Sequence, residues 1–240
     1  MNLVQQLRDE LVAYGIPCSE EQGGLLVSYL NLVIEKNKVV NLTRISDPVE
    51  AVTLHLVDSL LPLACEEVTI RPDDSFLDMG TGAGFPGAPV ALLTGAQALL
   101  VDSVGKKVAA VDEFAQQLGL IRVTTKHARL EDLARTIPGT QDYVFARAVA
   151  QTNVLIEYAT PFLKQNGILV VEKGRPEDRE LFEAERAAEI CGLVPVSRET
   201  FELPRDLGHR EILLYRRVRK SRIKLPRKVG MAKSNPLGQK

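Results

Sequence analysis

Apolar residues recur three and four positions apart through the first part of the chain, which is the spacing of one helix face. Three segments carry this pattern: LVQQLRDELVAYG, EEQGGLLVSYLNLVIEKNKVVN and PVEAVTLHLVDSLLPLAC. Asp47 precedes the third segment as a good N-cap, and Pro48 suits its first turn. Residues 1–72 are therefore predicted to form an N-terminal helical cap.

From Ser75 onward, short apolar runs alternate with helical segments. The runs are SFLDMG, ALLVDS, IRVTT, YVFAR and GILVVEKG, and the helices between them include VGKKVAAVDEFAQQLG and TNVLIEYATPFLKQNG. This alternation indicates βαβ units and a parallel sheet with helices on both faces. Two further runs, LVPVSRETFELP and REILLYRRV, are joined by DLGH and predict a terminal antiparallel hairpin. Residues 73–217 are thus predicted to be an α/β domain.

Composition excludes several classes of protein. Hydrophobic residues make up 45% and charged residues 25%, as in ordinary globular domains. No apolar run approaches the ~20 residues that a membrane-spanning helix needs, and the first residues do not resemble a secretory signal. Cys18, Cys65 and Cys191 lie far apart, which indicates neither disulfides nor a zinc site. We expect a cytoplasmic protein without a metal and without a membrane partner.

Basic residues are concentrated at the C-terminal end. The formal net charge is -1, yet residues 216–240 hold ten Lys or Arg and no Asp or Glu, which leaves 20 basic and 31 acidic residues elsewhere. Such a tail suggests a polyanionic partner, and a solvated terminus is the alternative. Because residues 218–240 follow the last predicted strand, we expect this basic tail to take no part in forming a ligand pocket.

The segment FLDMGTGAGFPG, residues 76–87, joins the first predicted strand to the next helix through four glycines. A glycine-rich turn at this place lets a ligand approach the backbone and the N-terminus of the following helix. Asp102 ends the next strand, 22 residues beyond Gly80, where an acidic side chain accepts hydrogen bonds from ribose hydroxyls. These features together predict a nucleotide-like ligand above the turn.

Two cofactors compete for this turn, because Gly82, Gly84 and Gly87 also satisfy the GxGxxG of dinucleotide-binding folds. Asp78 lies at the mouth of the first strand, where a carboxylate repels a pyrophosphate and suits a ligand with a sulfonium and an amino group. The GTGAG turn and the terminal hairpin resemble the class I, Rossmann-like S-adenosylmethionine-dependent methyltransferases. Their seven-stranded sheet, with its last strand antiparallel, agrees with the number of predicted strands.

The resemblance extends to one family. The segments NLTRISDP, HLVDSLLPL, FLDMGTGAGFPG, LLVDSVGKK, FARAVA, EKG, LGHREILLY and LPRKVGMAKSNPL together resemble the 16S ribosomal RNA guanine-N7 methyltransferase G family, first known as glucose-inhibited division protein B. The resemblance implies methyl transfer from S-adenosylmethionine to N7 of a guanine in small-subunit rRNA. Guanine N7 has a free lone pair, so no general base is needed, and none is evident in the sequence.

The resemblance also assigns site residues. The implied cofactor contacts are Gly80, Phe85, Asp102, Leu130, Glu131 and Arg147, with Asp78, Gly82 and Gly84 in the same turn. Candidates for the guanine pocket are Asn41, His55 and Asp58, and Ser59 shares a helix face with the last two. From their places at the ends of predicted elements, Lys106, Lys107, Lys173 and Arg210 are candidates for contact with rRNA phosphates, and a solvated charge is the alternative for each.

Two other functions stay open at this point. An NAD-dependent oxidoreductase uses a similar glycine turn, although the five tyrosines offer no YxxxK spacing for a hydride-transfer site. A non-catalytic RNA-binding protein of ribosome assembly also accounts for the basic tail. The intact turn, with both Asp78 and Asp102, argues against a decayed cofactor site.

Overall fold

The computed structural model describes residues 2–239 and contains one seven-stranded sheet. The strands are β1 (Ser75–Met79), β2 (Gln97–Asp102), β3 (Val123–His127), β4 (Gln141–Arg147), β5 (Leu163–Lys173), β6 (Leu193–Glu202) and β7 (His209–Arg217). Their order across the sheet is β3-β2-β1-β4-β5-β7-β6. Strands β1 to β5 are parallel, and β7 lies antiparallel between β5 and β6. The predicted α/β fold with its terminal hairpin is confirmed.

Helices cover both faces of this sheet. They are α1 (Leu3–Val12), α2 (Glu20–Asn37), α3 (Pro48–Ala51), α4 (Asp58–Leu60), α5 (Gly87–Thr94), α6 (Gly105–Gln117), α7 (Leu130–Leu133), α8 (Thr152–Ala159), α9 (Asp178–Cys191) and α10 (Met231–Ser234). Ser19 begins α2 with a capping box to Gln22, and Asp47 caps α3 as its sequence predicts. Left-handed Gly192 ends α9 and turns the chain into β6.

Alternation along the strands separates the core into two apolar layers. Phe76 and Phe145 pack in one layer with Leu30 of α2 and Phe114 of α6. The neighbouring residue of β1, Leu77, belongs to the other layer, together with α8 and α9. The N-terminal helices therefore complete the core on one face of the sheet.

Two predicted helices differ from the observed ones. The segment TNVLIEYATPFLKQNG is helical only to Ala159, and β5 begins at Leu163. Pro161 has no N–H to donate within a helix, and Leu163 pairs with β4. The third N-terminal helix is also irregular. It continues from α3 into a π-helical stretch over Val52–Val57, which α4 follows.

The chain beyond β7 returns along the domain. The N–H groups of Val218 and Arg219 donate to the carbonyl of Gly192 at 3.0 and 3.2 Å, and Ala232 is 1% exposed. Within residues 2–239, no helix is both long and apolar enough to cross a membrane. The same residues contain no cluster of three or more His, Cys, Asp or Glu side chains arranged to hold a metal ion.

Candidate functional site

The glycine turn after β1 forms the floor of the site. Gly80 and Gly82 have φ of +73° and +60°, a region that favours glycine. The N–H of Gly82 donates to Asp102 Oδ2 at 3.0 Å, and the N–H of Val104 donates to Asp102 Oδ1 at 2.8 Å. Asp102 thus ties the turn to the start of α6, and its carboxylate keeps further lone pairs for a ligand hydroxyl.

Packing within the protein constrains three of the four glycines, since a Cβ on Gly80 would lie 2.8 Å from the Val149 side chain. A Cβ on Gly84 would lie 1.8 Å from the Tyr29 hydroxyl, and a Cβ on Gly87 would lie 2.1 Å from the Leu100 side chain. The Tyr29 hydroxyl donates to the carbonyl of Ala83 at 2.9 Å, an interaction that sequence reasoning missed. A Cβ on Gly82 would meet only a backbone oxygen at 3.9 Å, so space at this position is open.

Asp78 lies beneath the turn and is fully buried. Its Oδ2 accepts the N–H of Gly87 at 2.9 Å, whereas its Oδ1 has no partner among residues 2–239. Burial raises the pKa of this carboxyl to about 6. An unsatisfied buried oxygen is costly, so a cationic or N–H-donating ligand at this place gains a partner.

A cavity of about 90 Å³ lies against the turn, and we call it the cofactor cavity. Its walls come from the glycine turn, the end of β2, α7 and segments farther along the chain. They are Gly80, Val101, Asp102, Ser103, Ala128, Arg129, Leu130, Glu131, Val149, Tyr158 and Lys233. Four of the sequence-assigned cofactor residues, namely Gly80, Asp102, Leu130 and Glu131, therefore meet at one place.

A second cavity of about 350 Å³ lies between the N-terminal helices and the ends of β4 and β5, and we call it the acceptor cavity. It is lined by Ile45, Leu54, His55, Asp58, Arg147, Ala148, Glu172, Lys173, Gly174 and Arg210. Phe85 of the glycine turn stacks on His55 with ring centroids 4.7 Å apart, and the Arg147 guanidinium lies 5.7 Å from the Phe85 ring. Phe85 and Arg147, both assigned to the cofactor from the sequence, thus lie at the acceptor side of the turn.

Buried charges dominate the acceptor cavity. Asp58 accepts from Arg147 at 3.2 Å and from Arg210 at 2.7 Å, and all three side chains are at most 20% exposed. Glu172 is 3% exposed, and neither of its carboxyl oxygens has a partner among the described residues. Burial raises the pKa of Glu172 well above its ordinary value. The cavity thus combines a paired carboxylate with an unpaired carboxyl group.

His55 is neutral in this setting. Burial, with the nearby Arg147 charge, lowers the pKa of His55 to about 4. Its Nε2 lies 2.8 Å from the Thr43 hydroxyl, and its ring is packed flat against Phe85. The histidine therefore supplies a flat, uncharged surface to the cavity.

The other residues predicted from the sequence either lie outside the acceptor cavity or are engaged by neighbouring groups. Asn41 is exposed and does not line the acceptor cavity, and the buried Ser59 hydroxyl donates to the backbone carbonyl of His55. Lys173 lines the cavity but is held by Glu180 at 2.6 Å and by the carbonyl of Ala150. Lys106 is exposed and Lys107 half-buried at the start of α6, and their contact with RNA stays a prediction.

The basic tail reaches the cofactor cavity, so the expectation that it stays apart from a ligand pocket is wrong. Arg227 Nε donates to the buried carboxylate of Glu157 at 2.7 Å, and the N–H of Gly230 donates to Glu131 Oε1 at 2.8 Å. Lys233 then lines the cavity itself. Carboxylates buried on α7 and α8 need charged or N–H partners, and the tail provides them.

Comparison with known proteins gives the family of this chain. The profile of GidB, described as rRNA small subunit methyltransferase G, matches residues 22–210. The chain belongs to this family. Relatives named ribosomal RNA small subunit methyltransferase G include one from Lactobacillus johnsonii, 35% identical over 95% of this chain and 97% of the relative. Another, from Carboxydothermus hydrogenoformans, is 32% identical over 97% of this chain and 99% of the relative.

Solved structures share the fold at low sequence identity. A putative sarcosine dimethylglycine methyltransferase from Galdieria sulphuraria aligns with a TM-score of 0.56 and 16% identity, covering 72% of this chain and 89% of that one. Geranyl diphosphate C-methyltransferase from Streptomyces coelicolor, solved with S-adenosyl-L-homocysteine, aligns with a TM-score of 0.52, also at 16% identity. That alignment covers 68% of this chain and 78% of the other. The class I methyltransferase fold is therefore confirmed.

Proposed function

We propose that the protein transfers a methyl group from S-adenosylmethionine to N7 of a guanine in the 16S rRNA of the small ribosomal subunit. The observation that carries this proposal is the placement of two cavities at the carboxyl ends of the strands, one lined by Gly80 of the glycine turn and the other by His55, on which Phe85 of the turn stacks. Family membership supports methyl transfer over the hydride transfer of an NAD-dependent enzyme. Phe85, which stacks on His55, connects the cofactor side to the acceptor side.

The residues of the cofactor cavity fit S-adenosylmethionine. Asp102 presents carboxylate lone pairs to ribose hydroxyls, and Leu130 with Glu131 lies at the wall proposed for the adenine. Asp78 does not line this cavity but lies buried beneath the turn, where its unpartnered Oδ1 would repel a pyrophosphate and attract the amino group of the methionine part. When bound, S-adenosylmethionine supplies a methyl group activated by a positively charged sulfur.

The acceptor cavity fits a purine. Ile45, Leu54 and neutral His55 offer apolar and flat contacts to a ring, while Asp58 and Glu172 place carboxyl groups close by. Guanine N7 has a free lone pair that takes the methyl group without losing a proton. No side chain has to remove a proton. The protein's contribution is then orientation, because a well-aligned pair of reactants can lower a barrier by about 7 to 11 kcal/mol.

Methylation assays on 16S rRNA test this function directly. Calorimetry should show binding of S-adenosylmethionine and of its demethylated product, with no binding of NADH as the control. Methyl groups should appear in 16S rRNA or in small subunits, and replacing the target guanine by 7-deazaguanine, which has no N7 acceptor, should abolish transfer. Tight binding to rRNA without methyl transfer would favour the non-catalytic assembly factor instead.

A further inference from the structure

The basic tail is anchored to the sheet domain along most of its length. Arg222 N donates to the carbonyl of Ile190 at 2.8 Å, and Asn153 Nδ2 donates to the carbonyl of Leu237 at 2.9 Å. A Cβ on Gly238 would lie 2.1 Å from the carbonyl oxygen of Glu183, so the chain there packs tightly against α9. The segment between these anchors is therefore held over α7 and α8.

Within that segment, the Arg227–Glu157 pair is the strongest anchor. The Arg227 side chain is 15% exposed and that of Glu157 is 3% exposed, so the pair is screened from water. Two Arg227 nitrogens contact the carboxylate, and one of them also donates to the carbonyl of Asn235 at 2.9 Å. A two-pronged guanidinium contact of this kind fixes orientation as well as position. It places Gly230 and α10 directly beside the cofactor cavity.

Lys233 differs from the other basic residues of the tail. Arg222 and Arg227 pair with Glu189 and Glu157, whereas Lys233, like Lys220, Lys224 and Lys228, has no ion pair within residues 2–239; of these four lysines, only Lys233 lines the cofactor cavity. Lys233 is exposed and lines the cavity together with Asp102 and Leu130. An ammonium group donates hydrogen bonds and accepts none, so an acceptor atom of a ligand in the cavity can take the place of the water that solvates exposed Lys233.

We propose that the tail is part of the cofactor site, with Lys233 donating a hydrogen bond to the adenosine part of the cofactor and Gly230 holding Glu131 in place. This inference rests on the proposed use of S-adenosylmethionine. Adenosine carries ring-nitrogen and ribose-oxygen acceptors, and Lys233 shares its cavity with the residues assigned to ribose and adenine. Lys233 is thus a binding residue contributed by a segment that follows the last strand of the fold.

Calorimetry with S-adenosylhomocysteine tests the proposal. Lys233→Ala should weaken binding by about tenfold, the loss expected for one charged hydrogen bond. Lys224→Ala is the matched control, because Lys224 is an exposed lysine of the same segment outside the cavity, and it should bind as tightly as the unmodified chain. Lys233→Arg should recover part of the affinity. The melting temperature of each ligand-free variant should stay unchanged, which separates a binding role from a structural one.

A second probe locates the hydrogen bond. Methylthioadenosine lacks the amino acid part, so Lys233→Ala should weaken its binding by a similar factor. A penalty seen with S-adenosylhomocysteine and absent with methylthioadenosine would place the lysine at the amino acid carboxylate and overturn the adenosine assignment. Equal affinities of Lys233→Ala and the unmodified chain would overturn the whole inference. If the unmodified chain binds neither probe, the proposed cofactor itself fails.

Discussion

The cofactor cavity and the acceptor cavity share one edge of the sheet but are built in different ways. The cofactor cavity is formed largely by backbone. Glycines with positive φ shape the turn, and the Asp102 carboxylate accepts the N–H groups of Gly82 and Val104. The second is formed by side chains, with Asp58 held between Arg147 and Arg210. The backbone part of the first cavity lies within residues 80–104, whereas the carboxylate cluster of the second joins residues 89 and 152 positions apart.

The largest effect on stability is expected from a substitution that disrupts the packing of the glycine turn. Gly84→Val should destabilise the fold by about 4 kcal/mol, because the new side chain meets Tyr29 and because φ is +92°. Gly82→Val is the matched control, because it meets no clash and carries only the strain of its φ of +60°, about 1 to 3 kcal/mol, so it should destabilise the fold less while losing cofactor binding. Urea unfolding and calorimetry measure the two effects. A stable Gly84→Val protein would show that the turn is shaped by its ligand alone.

Asp78, buried beneath the glycine turn, links the stability of the fold to pH. Its folded pKa of about 6 lies above the ordinary value of 3.8, so its contribution to stability is full below pH 4 and is lost as the pH rises through 6. Asp78→Asn should reduce the difference in stability between pH 4 and pH 8 by roughly 2 kcal/mol, because part of the whole contribution of about 3 kcal/mol is already lost at pH 4, close to the unfolded pKa. Unfolding curves of both proteins at the two pH values measure it.

Ligand binding should show the opposite trend for Asp78, because the ionised carboxylate is the form that attracts an amino group. Cofactor affinity should fall as the pH drops below about 6 in the unmodified chain and stay flat in Asp78→Asn. Parallel pH profiles for the two proteins would remove Asp78 from the cofactor site.

Asp58→Asn should impair the acceptor cavity without changing the cofactor cavity. The substitution keeps the shape of the side chain but removes the charge that positions Arg147 and Arg210, so methyl transfer should fall by about a hundredfold. Cofactor affinity should be unchanged, because Asp58 does not line the cofactor cavity. Single-turnover rates and calorimetry on the same preparation provide the comparison. Loss of cofactor binding in this variant would show that the two cavities act as one.

Asp102→Ala should weaken the cofactor by about 1 to 3 kcal/mol, the usual range for a charged hydrogen-bonding partner. Part of that weakening comes through the backbone, since Gly82 and Val104 lose their acceptor. Asp102→Asn, which retains one acceptor oxygen, should lose less. An unchanged dissociation constant in both variants would exclude the ribose role.

The smallest effect concerns the exposed tail lysines. Replacing Lys220, Lys224 and Lys228 with alanine should leave cofactor affinity intact, because these side chains do not line the cofactor cavity. If they bind rRNA phosphates, the slope of log affinity against log salt should fall by about 0.7 to 0.9 for every phosphate that is no longer neutralised. Filter binding of small-subunit rRNA at several salt concentrations measures this. An unchanged slope would leave Lys106 and Lys107 as the phosphate candidates.

Predictions from the sequence were correct for features that a short segment encodes or that the topology of the sheet brings together. The glycine turn, the acid that ends β2 and the alternation of strands and helices are all visible within short windows. Gly80, Asp102, Leu130 and Glu131 meet because the carboxyl ends of parallel strands share one edge of the sheet. The helix that was predicted past Pro161 is the exception, since pairing of Leu163 with β4 outweighed the local pattern.

The tertiary structure alone decided which distant side chains complete the two cavities. Tyr29 explains Gly84, and Lys233 enters the cofactor cavity, yet neither has a local signal, because each interaction joins surfaces separated by many residues along the chain. The tail shows the difference most clearly. Its composition determined that it is basic, whereas the buried carboxylates of Glu131 and Glu157 determined where it lies, since a charge removed from water requires a partner.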